Sequence, residues 1–482
     1  LRHTLKLEIL RKRMLLLLLF FSPHLLSAPI TDSDKLFKKS YTSVSRVGYY
    51  FEYLGEVPRS PLPEIKTEGY LPLSRYPLFD SVPNDITNDE KTLLYEENCF
   101  LVTAASIPYE GYQVHGSFDI LDQDGYLYYN NQKLTYENGT ERKLYRHYGS
   151  IGFNYGDISD DEPAINKRIT LKPRVRVYST TGLYAPAGEV ISVRISEKEL
   201  AKIGNLNIGI GPILSTDRTI ETKRDRYWGR MPLTQVIYKL NSTLQPHVRD
   251  GTDYIFYIGS FFGGPILAKS STFSTEEYTF SISGAVPHSN FILGYTTPEE
   301  FEYNKKSTAP YFILDVYTKG ISFSGPLKSA GDISYINLYE AAIYWEKATA
   351  LSNQYSPSPA SDESITMIHE PYIPAGAALA NRGGSATHCP TSWLSSPLVY
   401  RYNLMDSGNW GTHHEYNHHF QNSWGFYGGT ETTNNIINLA TFSYYNRNSQ
   451  RRTETSDNNN NGWNDYNSAT WVLKKALAET HE

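Results

Sequence analysis

Residues Trp410 to His419 read WGTHHEYNHH and contain the pattern H-E-x-x-H, which begins at His414. Residues four positions apart share one face of a helix, so His414 and His418 are placed to bind one metal ion. Glu415 lies beside them, where a carboxylate can act as a general base. The stretch therefore predicts a zinc-binding helix and metal-assisted hydrolysis. The alternative is a polar helix face on which histidines cluster without a metal.

The residues around the motif supply helix starts and a further ligand. Asp406 and Ser407 precede it and are residues that cap the start of a helix. Thr430 is placed to cap a second helix, which puts Glu431 in its first turn. We expect Glu431 to be the third zinc ligand. Three protein ligands leave a fourth position for water, which is the arrangement of a catalytic zinc site.

Composition indicates a β-rich globular protein. The chain has 482 residues, enough for two to three domains, and 39 of them are tyrosine, a residue enriched in strands. The net charge is −6 and no basic cluster stands out, so we expect no nucleic-acid partner.

The N-terminus has the pattern of a signal peptide. The basic residues 11–13 precede the apolar run 15–21, and small residues follow at Ser27 and Ala28. We expect residues 1–28 to be a signal peptide and the protein to be secreted or at the cell surface. A membrane anchor or a buried helix is the alternative. No later segment is long and apolar enough to predict a transmembrane helix.

Two further features suit secretion. Asn138 and Asn241 each begin an N-x-S/T triplet, which predicts glycosylation. The chain has two cysteines, Cys99 and Cys389, which we expect to form a disulfide or to remain two buried thiols.

The pattern along the chain predicts an α+β fold with the strands first. Residues 29–170 read as a β-rich N-terminal domain of unknown role, in which Asn130-Asn131 joins two strands of a hairpin. Residues 171–330 read as a second β-rich unit, and we expect β-sandwiches in both regions. Residues 331–482 read as mainly helical.

One stripe carries the helical prediction for this last region. It repeats with helical spacing over Leu338, Ala341, Ala342 and Trp345.

Two polar segments that contain aspartate have alternative interpretations. Residues 457–468 match the first part of a calcium loop, but Ser468 occupies the place of the bidentate glutamate, so a solvated loop is favoured. Asp119, Asp122 and Asp124 are interpreted as a polar turn rather than as calcium ligands.

The motif and its flanks resemble the enhancin-like peptidases, a family of gluzincin metallopeptidases often directed at mucins. The pattern W-G-x-x-H-E-x-G-H-N-x-Q and a following T-E-V-T-N-N block are matched at Trp410, Gly411, His414, Glu415, His418, Gln421, Glu431, Thr433, Asn434 and Asn435. Upstream, residues 179–189, 230–232 and 262–266 also resemble family segments. The resemblance covers about residues 173–482.

The sequence departs from the family pattern on both sides of His418. Asn417 stands where the pattern has glycine, and His419 stands where it has asparagine. We expect Asn417 to add bulk beside the helix, and His413 and His419 to lie in a groove or at the surface. Members of the family usually continue further with helices than the 51 residues that follow Glu431 (482 − 431), so we expect a truncated or degenerate C-terminus in this chain.

The resemblance implies an enhancin-like peptidase domain over residues 171–482, with a helical zincin-type catalytic subdomain at 331–482 and Zn²⁺ as cofactor. His414, His418 and Glu431 are then the ligands and Glu415 the catalytic base, while Asn434 and Asn435 orient a ligand. The implied substrates are mucin-like glycoproteins. The alternative is a catalytically inactive secreted or surface antigen or adhesin that binds glycoproteins without cutting them.

Overall fold

The computed structural model describes residues 49–59, 63, 65–66, 99–103, 118–136, 138–147, 158–174, 178–211, 219–221, 226–230, 236–272, 274, 276–316, 321–355, 365–370, 378–380, 386–398 and 410–420. The predicted signal peptide at 1–28 and the Asn-rich segment 457–468 lie outside these residues, so the interpretations of both stay predictions. Within the described part of the chain, no helix is both long enough and apolar enough to cross a membrane.

The strands are β1 (Tyr49–Val57), β2 (Ile65–Lys66), β3 (Cys99–Thr103), β4 (Ile120–Leu121), β5 (Leu127–Tyr129), β6 (Gln132–Lys133), β7 (Arg146–His147), β8 (Ala164–Leu171), β9 (Ser179–Ala185), β10 (Ile191–Ser196), β11 (Leu206–Ile210), β12 (Thr219–Glu221), β13 (Arg226–Arg230), β14 (Val236–Leu240), β15 (Val248–Asp250), β16 (Asp253–Ile258), β17 (Gly264–Ser270), β18 (Tyr278–Pro287), β19 (Ser289–Ile292), β20 (Tyr311–Val316), β21 (Ile321–Pro326), β22 (Ile365–Glu370), β23 (Leu379–Ala380) and β24 (Ala386–Pro390). The helices are α1 (Glu197–Ile203), α2 (Pro298–Lys305), α3 (Tyr335–Tyr355), α4 (Ser395–Leu398) and α5 (Trp410–Asn417). Short 3₁₀ turns lie at Leu327–Ser329, Thr391–Trp393 and His418–Phe420.

Thirteen strands between residues 49 and 287 form one curled antiparallel sheet. Its main order is β14-β11-β17-β9-β18-β10-β16-β4-β5-β6. Strand β18 pairs with β8 and β10 and then, through Val286 and Pro287, with β9. Gly284, at φ +95°, lies where the register of β18 shifts. The sheet therefore turns over at this strand and encloses one apolar core between its two layers.

Strand β8 links the N-terminal region to the rest of the sheet. It pairs with β1 on one side and with β18 on the other. Strand β4 likewise pairs with β16. Strands from both sides of the boundary predicted at residue 170 therefore share one sheet.

The edge of β1 is closed by a residue from the second half of the chain. The Tyr295 hydroxyl accepts a hydrogen bond from the Phe51 N–H (3.0 Å) and donates one to the Phe51 carbonyl (3.2 Å). The two rings also meet edge to face, with centroids 4.9 Å apart. Tyr295 thus occupies both backbone groups of Phe51.

The predicted hairpin and the polar turn before it are both present. Strands β5 and β6 pair directly across Asn130 and Asn131, whose φ angles of 49° and 61° are those of a type I′ turn. The Asp122 carboxylate accepts hydrogen bonds from the backbone N–H groups of Asp124 and Tyr126, which confirms the turn.

The second half contains a six-stranded mixed sheet in the order β19-β20-β21-β22-β24-β23. Strands β21 and β22 are parallel neighbours, so the chain between them has to cross over the sheet. Helix α3 makes this crossover and packs on β20 and β21. Its predicted stripe is confirmed, since Leu338, Ala341, Ala342 and Trp345 are all fully buried.

The prediction of a mainly helical catalytic region is wrong. Strands dominate the described residues, and β22, β23 and β24 all lie beyond residue 331. The reason is burial on both faces: all six residues of β20 are buried, as are four of the first five of β22. Such strands lack the alternation of apolar and polar residues that marks a strand in a sequence.

Candidate metal centre

The motif forms helix α5, whose first turn depends on a glycine. A Cβ atom placed on Gly411 would lie 2.6 Å from Cη2 of Trp393, at the end of the 3₁₀ turn that follows β24. Only a residue without a side chain lets the backbone approach the indole this closely. The helix then ends at Asn417 and continues as a 3₁₀ turn from His418 to Phe420.

The structure brings together three of the predicted site residues. The potential ligand atoms of His414, Glu415 and His418 all lie within 4.8 Å of one another. The two imidazole rings are 4.8 Å apart and nearly perpendicular. His418 is buried, whereas His414 and Glu415 are partly exposed. Solvent or a substrate can therefore reach the cluster from the His414 side.

The opposite face of α5 packs on α3 through His413. The His413 ring stacks on Trp345, with centroids 4.4 Å apart, and a 2.6 Å hydrogen bond joins its Nε2 to the Tyr344 hydroxyl. Complete burial lowers the pKa of His413 to about 3, so the ring is neutral near pH 7. The prediction that His413 lies in a groove or at the surface is wrong, because this face of α5 packs against α3.

A second set of buried contacts follows one turn further along α5. The Tyr416 hydroxyl donates to Thr349 Oγ1 (2.8 Å), and the Thr349 hydroxyl donates to the Trp345 carbonyl (2.8 Å). The Trp345 indole N–H donates to the Pro397 carbonyl at 3.1 Å. Burial raises the pKa of Tyr416 far above its usual value, so its hydroxyl stays protonated.

The two residues that flank His418 also have partners. Asn417 is fully buried, and its Oδ1 accepts a hydrogen bond from the Ser352 hydroxyl at 2.9 Å. A 2.6 Å hydrogen bond joins His419 Nε2 to Thr387 Oγ1 of strand β24. Burial, followed by the neighbouring His418, lowers the pKa of His419 to about 4. The side chain of Asn417 therefore lies in the interface between α5 and α3, where it accepts the hydrogen bond of Ser352.

Sequence reasoning missed the partners on α3, although a signal was present. Thr349 and Ser352 continue the apolar stripe that passes through Trp345, and both are buried. Buried polar side chains on an apolar stripe need hydrogen-bond partners. Those partners are Tyr416 and Asn417, more than 60 residues away along the chain.

Several predicted residues fall outside the described part of the chain. Glu431, Asn434 and Asn435 are among them, so the third zinc ligand and the ligand-orienting asparagines stay predictions. Cys389 is buried in β24, while for Cys99 only its place in β3 is described, and their disulfide stays a prediction.

The predicted glycosylation sites lie in surface turns. Asn138 is exposed, and its Oδ1 accepts the Thr140 N–H at 3.0 Å. Asn241 Oδ1 accepts the Thr243 N–H at 2.9 Å. Their modification stays a prediction.

Comparison with known families assigns two segments of the chain. Residues 284–481 match the family described as Peptidase M60, enhancin and enhancin-like, and residues 161–249 match the N-terminal domain of M60-like peptidases.

Curated relatives and solved structures also match. Antigenic protein P1 of Entamoeba histolytica is 30% identical over 278 residues, which cover 54% of this chain and 23% of that protein. Antigenic protein NP1 of the same organism is 31% identical over 229 residues, 45% of this chain and 33% of that protein. The chain thus spans a third or less of these relatives. IMPa from Pseudomonas aeruginosa, solved in complex with an O-glycopeptide, is 14% identical with a TM-score of 0.42, covering 61% of this chain and 36% of that one.

The helix with the H-E-x-x-H cluster lies inside the segment that matches the peptidase domain. The segment that matches the N-terminal domain contributes β8, β9, β10, β11, β14 and β15 to the curled sheet. By these two matches, the chain belongs to the M60 family of enhancin and enhancin-like peptidases.

Proposed function

We propose that this chain is a zinc-dependent metallopeptidase that hydrolyses peptide bonds in glycoproteins. One observation carries the proposal: the ligand atoms of His414, Glu415 and His418 converge to within 4.8 Å on one helix. Membership of a peptidase family supports the reaction class.

The chemistry of the donor set fits zinc. Imidazole nitrogens and carboxylate oxygens are its usual protein ligands outside thiolate sites. His414 and His418 would hold the ion, with Glu431 as the proposed third ligand. When bound there, zinc lowers the pKa of a water ligand and polarises a substrate carbonyl.

Glu415 is the proposed general base. Its partly exposed carboxylate lies beside the two histidines, where an attacking water would stand. The carboxylate accepts the proton of that water as the water attacks the scissile carbonyl carbon, and then delivers it to the leaving amine nitrogen. The neutral ring of His413 adds no positive charge next to His414.

The substrate class and the compartment are parts of the same proposal. Mucin-type glycoproteins are proposed because the motif and its flanks resemble a family often directed at mucins. Secretion or display at the cell surface is proposed from the signal-peptide pattern of residues 1–28 and from the triplets at Asn138 and Asn241. Substrates outside the cell are consistent with this compartment.

A second candidate is a catalytically inactive secreted or surface antigen that binds glycoproteins. The observation that favours it is that both curated relatives are named antigenic proteins. The two candidates share the fold and the compartment. They differ in whether a peptide bond is cut.

The test combines metal content with cleavage by the full chain. Zinc per chain is measured by mass spectrometry, and cleavage is followed on a peptide with and without an O-linked sugar. The active protein should contain one zinc ion and prefer the glycosylated peptide.

Two variants separate the proposed roles. Glu415→Gln should retain zinc and lower kcat by about 10²–10⁴-fold, because it removes the base and keeps both histidines. Glu431→Ala should lose zinc if Glu431 is a ligand. Stoichiometric zinc without cleavage of either peptide would favour the antigen candidate, and a protein that takes up no zinc would refute the metal site.

A further inference from the structure

His418 stands where the backbone changes from one helix type to another. Helix α5 ends at Asn417, and His418 begins the 3₁₀ turn. The last turn of a helix leaves carbonyl groups without intrahelical partners and tends to fray. A metal ligand at this point needs support from other parts of the fold if it is to keep one orientation.

The residue before His418 is bonded from α3. The Ser352 hydroxyl donates to Asn417 Oδ1 at 2.9 Å, and both side chains are fully buried. Water does not compete for this bond, and the amide cannot turn toward solvent. Asn417 is therefore fixed relative to α3.

The residue after His418 is bonded from the six-stranded sheet. Thr387 Oγ1 lies 2.6 Å from His419 Nε2, and Thr387 is fully buried in β24. This contact reaches α5 from a different element than the Ser352 contact does. The two neighbours of His418 are thus held from two directions.

The two contacts coincide with the two departures from the enhancin-like pattern. That pattern has glycine at position 417 and asparagine at position 419, whereas this chain has Asn417 and His419. Each departure forms a hydrogen bond with a hydroxyl-bearing side chain from another element. Asn417 pairs with Ser352, and His419 pairs with Thr387.

We infer that Ser352 and Thr387 are positioning residues, which hold His418 in a metal-binding orientation by bonding its two neighbours. The inference rests on the proposed function, since it takes His418 to be a zinc ligand. A ligand that is already ordered binds metal more tightly than one that has to be ordered on binding. Partners that bond a metal ligand directly change metal affinity by about 10–100-fold when removed, and Ser352 and Thr387, which bond its neighbours, should act at the lower end of that range.

The test compares two variants of one residue. Thr387→Val removes the hydroxyl with little change of volume, whereas Thr387→Ser retains it. Zinc affinity is measured by competition with a chelator, and the cobalt(II)-substituted protein is examined by visible absorption. Thr387→Val should bind zinc about tenfold more weakly and shift the cobalt d–d bands. Thr387→Ser should restore both readouts.

The Ser352 contact is tested separately, with a control. Ser352→Ala should weaken zinc binding by a similar factor. The control is Ser307→Ala, because Ser307 is buried in the same family segment and donates to the Pro287 carbonyl at 2.6 Å, apart from α5. The control should leave zinc affinity within about twofold of wild type, since it touches no neighbour of His418.

The outcomes distinguish this inference from the proposed function. A wild-type protein that binds zinc while Thr387→Val and Ser352→Ala match it in affinity and cobalt spectrum would overturn the positioning role alone. Equal weakening in Ser307→Ala would also overturn it, because the effect would then be general. A wild-type protein that binds no zinc would overturn both proposals.

Discussion

Replacing Gly411 by alanine tests whether the approach of α5 to Trp393 sets the position of the metal helix. An added Cβ would lie 2.6 Å from Cη2 and 2.8 Å from Cζ3 of the indole. Carbon atoms in contact are normally about 3.5–4.0 Å apart. Either the ring or the helix would have to move by roughly 1 Å to restore that separation.

Two effects of opposite sign decide the result. Alanine is favoured over glycine in a helix interior by about 1 kcal/mol. Forcing additional volume into a packed contact costs about 1–3 kcal/mol. We expect the packing cost to exceed the gain, so that the free energy of unfolding falls by up to about 2 kcal/mol. At a helical glycine with open space, the same substitution would stabilise the protein.

Urea unfolding of four proteins measures this balance: wild type, Gly411→Ala, Trp393→Leu and the double variant. In the Trp393→Leu background the added methyl group meets no indole, so Gly411→Ala should become neutral or stabilising. The coupling energy between the two substitutions should reach about 2 kcal/mol. Independent sites deviate from additivity by only about 0.5 kcal/mol. If Gly411→Ala stabilises the protein with Trp393 in place, or shows no coupling, the argument from close approach is refuted.

Three further predictions concern buried groups. His369→Gln should remove part of the acid sensitivity of the metal-free protein. Burial lowers the pKa of His369 from 6.5 to about 4, so the unfolded chain takes up this proton first as the pH falls. Between pH 7 and pH 5 the wild type should therefore lose about 2 kcal/mol more stability than the variant does. Urea unfolding of both proteins at pH 7 and pH 5 tests this. An equal loss of stability between the two pH values in wild type and variant would contradict it. Tyr416→Phe should lower the free energy of unfolding by about 1 kcal/mol through loss of the bond to Thr349, and no change would indicate that the bond contributes nothing. Gly188→Ala should lower the free energy of unfolding by at least about 2 kcal/mol in the same assay. Gly188 has φ +76°, and an added Cβ would lie 2.4 Å from the backbone nitrogen of Arg146. A smaller loss would mean that the backbone shifts easily there.

Local patterns made several features predictable. The four-residue spacing of His414 and His418 gave the metal-helix prediction, and the structure brings both rings together with Glu415. The stripe through Trp345 predicted α3, and Asn130-Asn131 predicted a hairpin. Each of these depends on residues that are close in sequence, so the physical cause is visible without the fold.

The remaining features depend on contacts between distant residues. The β20 and β22 strands are buried on both faces, so their sequences carry no alternation and the six-stranded sheet went unrecognised. His413 is buried only because α3 covers it, and Asn417 is accommodated only because Ser352 faces it. Neither relation follows from spacing along the chain, because the partners are separated by more than 60 residues.

The closure of β1 by Tyr295 has a consequence for the two halves of the chain. A strand edge with accessible N–H and C=O groups is a template for pairing with other molecules. Here the hydroxyl that covers this edge at Phe51 comes from the peptidase half, just after β19. Separating the curled sheet from the segment that contains Tyr295 would uncover the Phe51 backbone at this edge. Tyr295 thus acts as a cap that keeps the N–H and C=O of Phe51 from pairing with another strand.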